Sequence, residues 1–109
     1  VKNSNIAGDT YIKMSGDIRY LLGDNITNDD FKIYISRIAK GINYVVFGKH
    51  EEGIRNYASI TQMQEIIMIQ GYISDMIESG IVSNFDGIIN YLGMKWKKRW
   101  GSKNPVIDN

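Results

Sequence analysis

The residue types best suited to chemistry gather near the end of the chain. There Tyr91-Leu92-Gly93-Met94-Lys95-Trp96-Lys97-Lys98-Arg99-Trp100 interleaves cations with aromatic rings. On a helix Leu92, Trp96 and Trp100 fall at i, i+4 and i+8, so the two indoles are expected to anchor one face in a core. Lys95 and Lys98, at i and i+3, make a basic strip beside that face. Lys97 points elsewhere. Arg99 falls close to the apolar stripe, where it snorkels or marks the unwinding of the helix. Clustered cations on a rigid backbone suit an acidic surface, whether nucleic acid, anionic lipid or an acidic protein segment. The sequence pI of 8.1 lies below the usual nucleic-acid footprint. An apolar face committed to a core argues against membrane insertion. An acidic protein segment fits best. Lys95 and Lys98 stand at the centre of this candidate site, Lys97 and Arg99 at its margin, and Leu92, Trp96 and Trp100 behind it.

Other constellations point to less. Asp29 with Asp30 and Glu51 with Glu52 are adjacent carboxylates, and acid–base catalysis needs two carboxyls on one reacting centre. Sequence neighbours point apart, so solvated charges are expected. His50, in a polar loop, is expected as a surface residue without identifiable catalytic or metal partners. Phe47-Gly48-Lys49 lacks the earlier glycine and the hydroxyl of a phosphate loop. Neither a nucleophile elbow nor a dinucleotide fingerprint occurs. With no cysteine and one histidine, disulfides, thiolate zinc sites and multi-histidine metal sites are excluded. The expectation is a protein that is not an enzyme and takes no metal or other cofactor. Met63, Met68 and Met76, at helical spacing among isoleucines, are expected in the core.

Charge is distributed unevenly. The 109 residues carry 13 basic and 12 acidic side chains, a net of +1. Residues 93–109 hold five basic residues against Asp108, a net of +4. Residues 1–92 hold eight basic against eleven acidic, a net of −3. A weakly acidic body thus carries a basic end, and one-signed blocks often mark interaction surfaces. Length and a 43% hydrophobic content imply one globular domain, 1–109. The start at Val1 shows no signal-peptide pattern and suggests a piece of a longer protein.

The elements that must position the basic segment follow from periodicity. Tyr11, Met14, Ile18, Leu21 and Leu22 predict a helix over 10–22, with Asp9 as cap and Gly23 as stop. Thr27 opens a second helix with Asp29 and Asp30 in its first turn, and Phe31, Ile35, Ile38 and Ile42 form its stripe. The β-branched run over 42–47 is read as the end of that helix or as a short strand. Ser59 with Gln62 is a capping box opening a helix to Gly80, expected to be the longest of the core. Its apolar positions are Ile60, Met63, Ile66, Ile67, Tyr72, Ile73, Met76 and Ile77. Ser83 with Asp86 opens the last helix, whose face carries Phe85, Ile88, Ile89, Leu92, Trp96 and Trp100. Gly101 and Pro105 end it. The fold class is therefore all-α, a bundle of four to five helices with short flexible ends at 1–8 and 101–109. A short β-hairpin near residues 43–57 stays open.

The basic segment also resembles the last helix of the C-terminal domain of rhabdovirus phosphoproteins, the vesiculovirus type in particular. The shared pattern is Leu-Gly, apolar, basic, aromatic, Lys-Lys, any residue, aromatic. Here it reads Leu92-Gly93-Met94-Lys95-Trp96-Lys97-Lys98-Arg99-Trp100, close to the chain end. The resemblance implies a non-enzymatic adaptor that binds the viral nucleoprotein in complex with RNA. Other parts of the phosphoprotein hold the polymerase, which the adaptor tethers to its template. It implies no direct nucleic-acid contact, no membrane, and a place in the host-cell interior and the virion. Carried over residue by residue, Lys95, Lys97 and Lys98 would meet an acidic loop of the nucleoprotein, with Leu92 and Trp96 as support. The alternative is a small phage or bacterial helical module binding nucleic acid through its basic C-terminal helix. A third class is an immunity or inhibitor protein using an acidic face of the body.

Overall fold

Local capping chemistry sets most of the helix boundaries. The computed structural model describes residues 2–107. Four α-helices follow one another: α1 (Lys2–Leu22), α2 (Asn28–Phe47), α3 (Ile60–Glu78) and α4 (Phe85–Trp100). A 3-10 turn, Ile54–Tyr57, sits between α2 and α3. Among the described residues there is no strand, and the fold is an all-α bundle.

Thr27 caps α2 by accepting from the Asp30 N–H at 3.1 Å. The Ser59 hydroxyl accepts from the Gln62 N–H at 3.0 Å while the Gln62 side chain accepts from the Ser59 N–H at 2.9 Å, completing the predicted box. The cap of α4 is Asn84, which accepts from the Gly87 N–H at 3.0 Å. The predicted cap, Ser83, lies one residue outside.

One open reading is decided and two expectations are corrected. The run over 42–47 is the last turns of α2, and Ile42, Val45 and Val46 are buried. The hairpin near 43–57 is therefore not formed. Tertiary burial of one helical face outweighs the weak strand preference of β-branched residues. Gly48 stops the helix with φ of +76° and its N–H on the Tyr44 carbonyl at 2.8 Å. The helix predicted over 10–22 already runs from Lys2, ahead of Asp9. At 19 residues α3 has the predicted bounds but is shorter than α1, with 21, and α2, with 20.

The predicted flexible ends also look different where they are described. Residues 2–8 open α1, and 101–107 fold back over α4. Asn104 donates to the Gly93 carbonyl at 2.9 Å, and Val106 inserts into the core at 4% exposure. Gly93 permits this return, since a Cβ there would stand 2.5 Å from the Ile107 side chain. Residues 1, 108 and 109 of those ends lie outside the described residues.

The main packing is not between chain neighbours. α1 lies chiefly on α3 and α2 chiefly on α4, with α2 also touching α3. Met14 and Ile18 of α1, Ile38 and Ile42 of α2, Ile66, Ile69 and Ile73 of α3, and Ile88 and Leu92 of α4 meet fully buried at the centre. Gln70 is buried with them and donates to the Thr10 hydroxyl at 2.7 Å and the Ala7 carbonyl at 3.0 Å. These bonds satisfy a buried amide and tie α3 to the first turns of α1.

Candidate functional site

The basic end of α4 is held from several sides. Leu92 is fully buried and Trp96 is 9% exposed, so both point inward as predicted. The Trp96 ring meets Tyr44 of α2 edge-on, with centroids 6.0 Å apart, and its Nε1–H donates to the Lys103 carbonyl. Trp100 is only half inside, at 47% exposure. It still supports the helix, donating from Nε1 to the Val45 carbonyl at 2.9 Å and covering Gly48 with its ring.

Arg99, predicted at the margin of the contact site, is engaged within the fold. Its guanidinium takes Glu65 of α3 in a two-pronged pair, with NH1 at 2.7 Å from Oε1 and NH2 at 2.5 Å from Oε2. NH1 also donates to the Val45 carbonyl at 3.1 Å. The hydrogen bonds from Arg99 hold the Glu65 carboxyl below its usual range, and Glu65 in turn raises Arg99. A cation so engaged joins α4 to α2 and α3.

The three lysines are placed differently. Lys95 lies over the Tyr91 ring, 5.8 Å from its centroid. Tyr91 leans on Tyr72 of α3 with centroids 6.3 Å apart, and burial raises the Tyr91 phenol above its ordinary value. Lys95 and Lys98 border a shallow depression that Arg99 closes. Lys97 and Lys98 are exposed. Among the described residues none of the three lysines forms an ion pair. The result is a strip on the α3 side of α4 in which Tyr72, Tyr91, Lys95 and Lys98 adjoin. Lys97 lies about a third to half a turn away on the helical wheel, outside that strip.

Tyr72, one of the apolar positions of α3, is 55% exposed, and Met68, expected in the core, is 50% exposed. α3 is apolar around much of its circumference, so periodicity alone does not say which face is buried. Of the carboxylate pairs, Asp29, Asp30, Glu51 and Glu52 are all exposed, and Glu51 takes Lys49 at 3.2 Å. His50 is half-buried and meets Asn43, a partner no local motif announces. Among the described residues no helix is long and apolar enough to cross a membrane.

No protein-family model, no curated protein and no solved structure matches this chain.

Proposed function

We propose that the domain is a non-enzymatic adaptor that docks on an acidic segment of a protein partner through the α3-facing strip of α4. Lys95 and Lys98 supply charge, Tyr91 and Tyr72 supply apolar contact, and Lys97 contributes at the edge. The observation that carries this is the division of labour among the cations. Arg99 is tied to Glu65 and fixes the helix, while Lys95 and Lys98 have no ion-pair partner among the described residues and stand beside two aromatic rings. Aromatic area beside free charge suits a protein surface, where anchors give affinity and charge gives orientation.

The kind of partner rests on the motif over residues 92–100. Its likeness to rhabdovirus phosphoproteins supports the reading that the domain tethers a viral polymerase to the nucleoprotein–RNA template. The acidic loop of the nucleoprotein would lie along Lys95 and Lys98.

The test is titration of the wild type and of Lys95→Glu with Lys98→Glu against nucleoprotein–RNA complexes, with free RNA in parallel. Both lysines lie off the buried face, so the variant is expected to keep its helical circular dichroism. Its affinity should fall at least tenfold, about the 1.4 kcal/mol that a like-charge contact readily exceeds. Unchanged affinity would reduce the basic strip to a solvated helix end. Free RNA binding as tightly as the complex, with a steep salt slope, would replace the adaptor with the nucleic-acid module.

A further inference from the structure

The surroundings of His50 are built from the buried side outward. Arg55, from the 3-10 turn, donates from Nε to Asn43 Oδ1 at 2.7 Å. Its terminal nitrogens reach Gln70 Oε1 at 3.4 Å and the Ala39 carbonyl at 3.5 Å. A guanidinium only donates, so the oxygen end of the Asn43 amide must face Arg55. Asn43 Nδ2 then faces His50 Nδ1 at 3.1 Å, and an amide nitrogen also only donates. His50 Nδ1 is therefore the acceptor, and the ring proton sits on Nε2. Asn43 is 6% exposed, so this relay is part of the interior and holds both the tautomer and the rotation of the imidazole.

The imidazole borders a cleft of about 280 Å³ between α2 and the returning C-terminal segment. Arg37, Lys40 and Tyr44 of α2 line it with His50, and Gly41 and Val106 form its floor. Arg37, Lys40, Gly41 and Tyr44 recur at spacings of three and four and share one helix face. The Arg37 guanidinium lies over Phe85, 5.3 Å from the ring centroid, which restrains its plane. Among the described residues no acid lines the cleft, and neither Arg37 nor Lys40 forms an ion pair.

We propose that this cleft binds a phosphoryl group, as free phosphate or as a small phosphate monoester. Two cationic side chains, a fixed imidazole N–H and a phenol O–H approach from a helix face and from the loop beyond it. A tetrahedral oxyanion offers acceptor oxygens in several directions to meet them, whereas a carboxylate offers two in one plane. The Arg55–Asn43–His50 relay has the role of a positioning device, aiming Nε2–H without touching the ligand. The cleft is on the α2 side of α4, away from the Lys95–Lys98 strip, and does not rest on the adaptor proposal.

The experiment is an NMR titration of the ¹⁵N-labelled full chain at constant ionic strength, following the His50 ring nitrogens. Inorganic phosphate, glycerol 3-phosphate and acetate are the three probes. Saturable shifts with either phosphate compound support the site, and the tighter of the two names the source. Lys40 is exposed, so Lys40→Gln should fold normally and weaken phosphate about tenfold or more, as expected for loss of a charge-assisted bond. His50→Phe should weaken it as well, while Lys95→Gln with Lys98→Gln should leave it unchanged. Non-saturating shifts, acetate binding as tightly as phosphate, or wild-type affinity in Lys40→Gln would each overturn the proposal.

Discussion

Removal of the Trp96 ring tests how the basic helix is held. Trp96 is 9% exposed, packs edge-on against Tyr44, and bonds through its indole N–H to the Lys103 carbonyl. A buried tryptophan covers roughly 200 Å², which at ~25 cal/mol per Å² corresponds to ~5 kcal/mol. Alanine keeps a small part of that burial, and the pocket between Tyr44 and the returning segment can partly collapse. Trp96→Ala should therefore cost about 3–5 kcal/mol. Trp96→Phe keeps much of the apolar volume and loses the donor to an exposed carbonyl that water can reach. It should cost less, about 1–2 kcal/mol from the missing bond and the smaller ring. Urea unfolding followed by circular dichroism measures both at one temperature, with the slope checked for constancy. A loss below ~1 kcal/mol for Trp96→Ala would refute the reasoning, because the ring would then have to be solvated. Phenylalanine costing as much as alanine would put the stabilisation in the bond to Lys103 and not in the ring.

Gly48→Ala should destabilise by about 1–3 kcal/mol, since a side chain there meets both an unfavourable φ and the Trp100 ring 2.9 Å away, and thermal unfolding would show it. Acid should weaken the tie between α3 and α4. The folded Glu65 carboxyl titrates below its ordinary value of 4.5 because Arg99 bonds to it. The stability it contributes is thus fully present above that unfolded value and is lost as pH falls through the lower, folded one. The difference in unfolding free energy between wild type and Glu65→Gln isolates this, and it should be about 1 kcal/mol at neutral pH and vanish in acid, given a pair partly open to water.

What the chain discloses about itself follows the range of each interaction. Thr27, Ser59 and Gln62 act within one turn, so their residue types suffice to place two helix starts. The stripe of Phe85, Ile88, Ile89 and Leu92 follows from period alone, because a single face of α4 is apolar. The end of α2 was ambiguous because Ile42, Val45 and Val46 suit either element, and only α4 lying across them decides. The candidate strip was half legible. Lys95 and Lys98 follow from spacing, but Tyr72 joins them through a helix 19 residues earlier in the chain. The commitment of Arg99 depends on Glu65, 34 positions away, and no local pattern announces such a partner. The same holds for the Arg55–Asn43–His50 relay and for the residues that return over Gly93.

The alternation of helix partners has a kinetic side. Because α1 rests on α3 and α2 on α4, no two successive helices make a self-sufficient hairpin. Each main contact must close a loop that contains an entire intervening helix, so the topology is less local than that of a bundle whose neighbours pair in order. Such topologies fold more slowly than bundles whose neighbours pair in order. A break in the Gly48–Gly53 loop would leave two fragments, each with the buried faces of two helices that need the other fragment. Neither half should be structured alone, and mixing them should restore helicity in a concentration-dependent step.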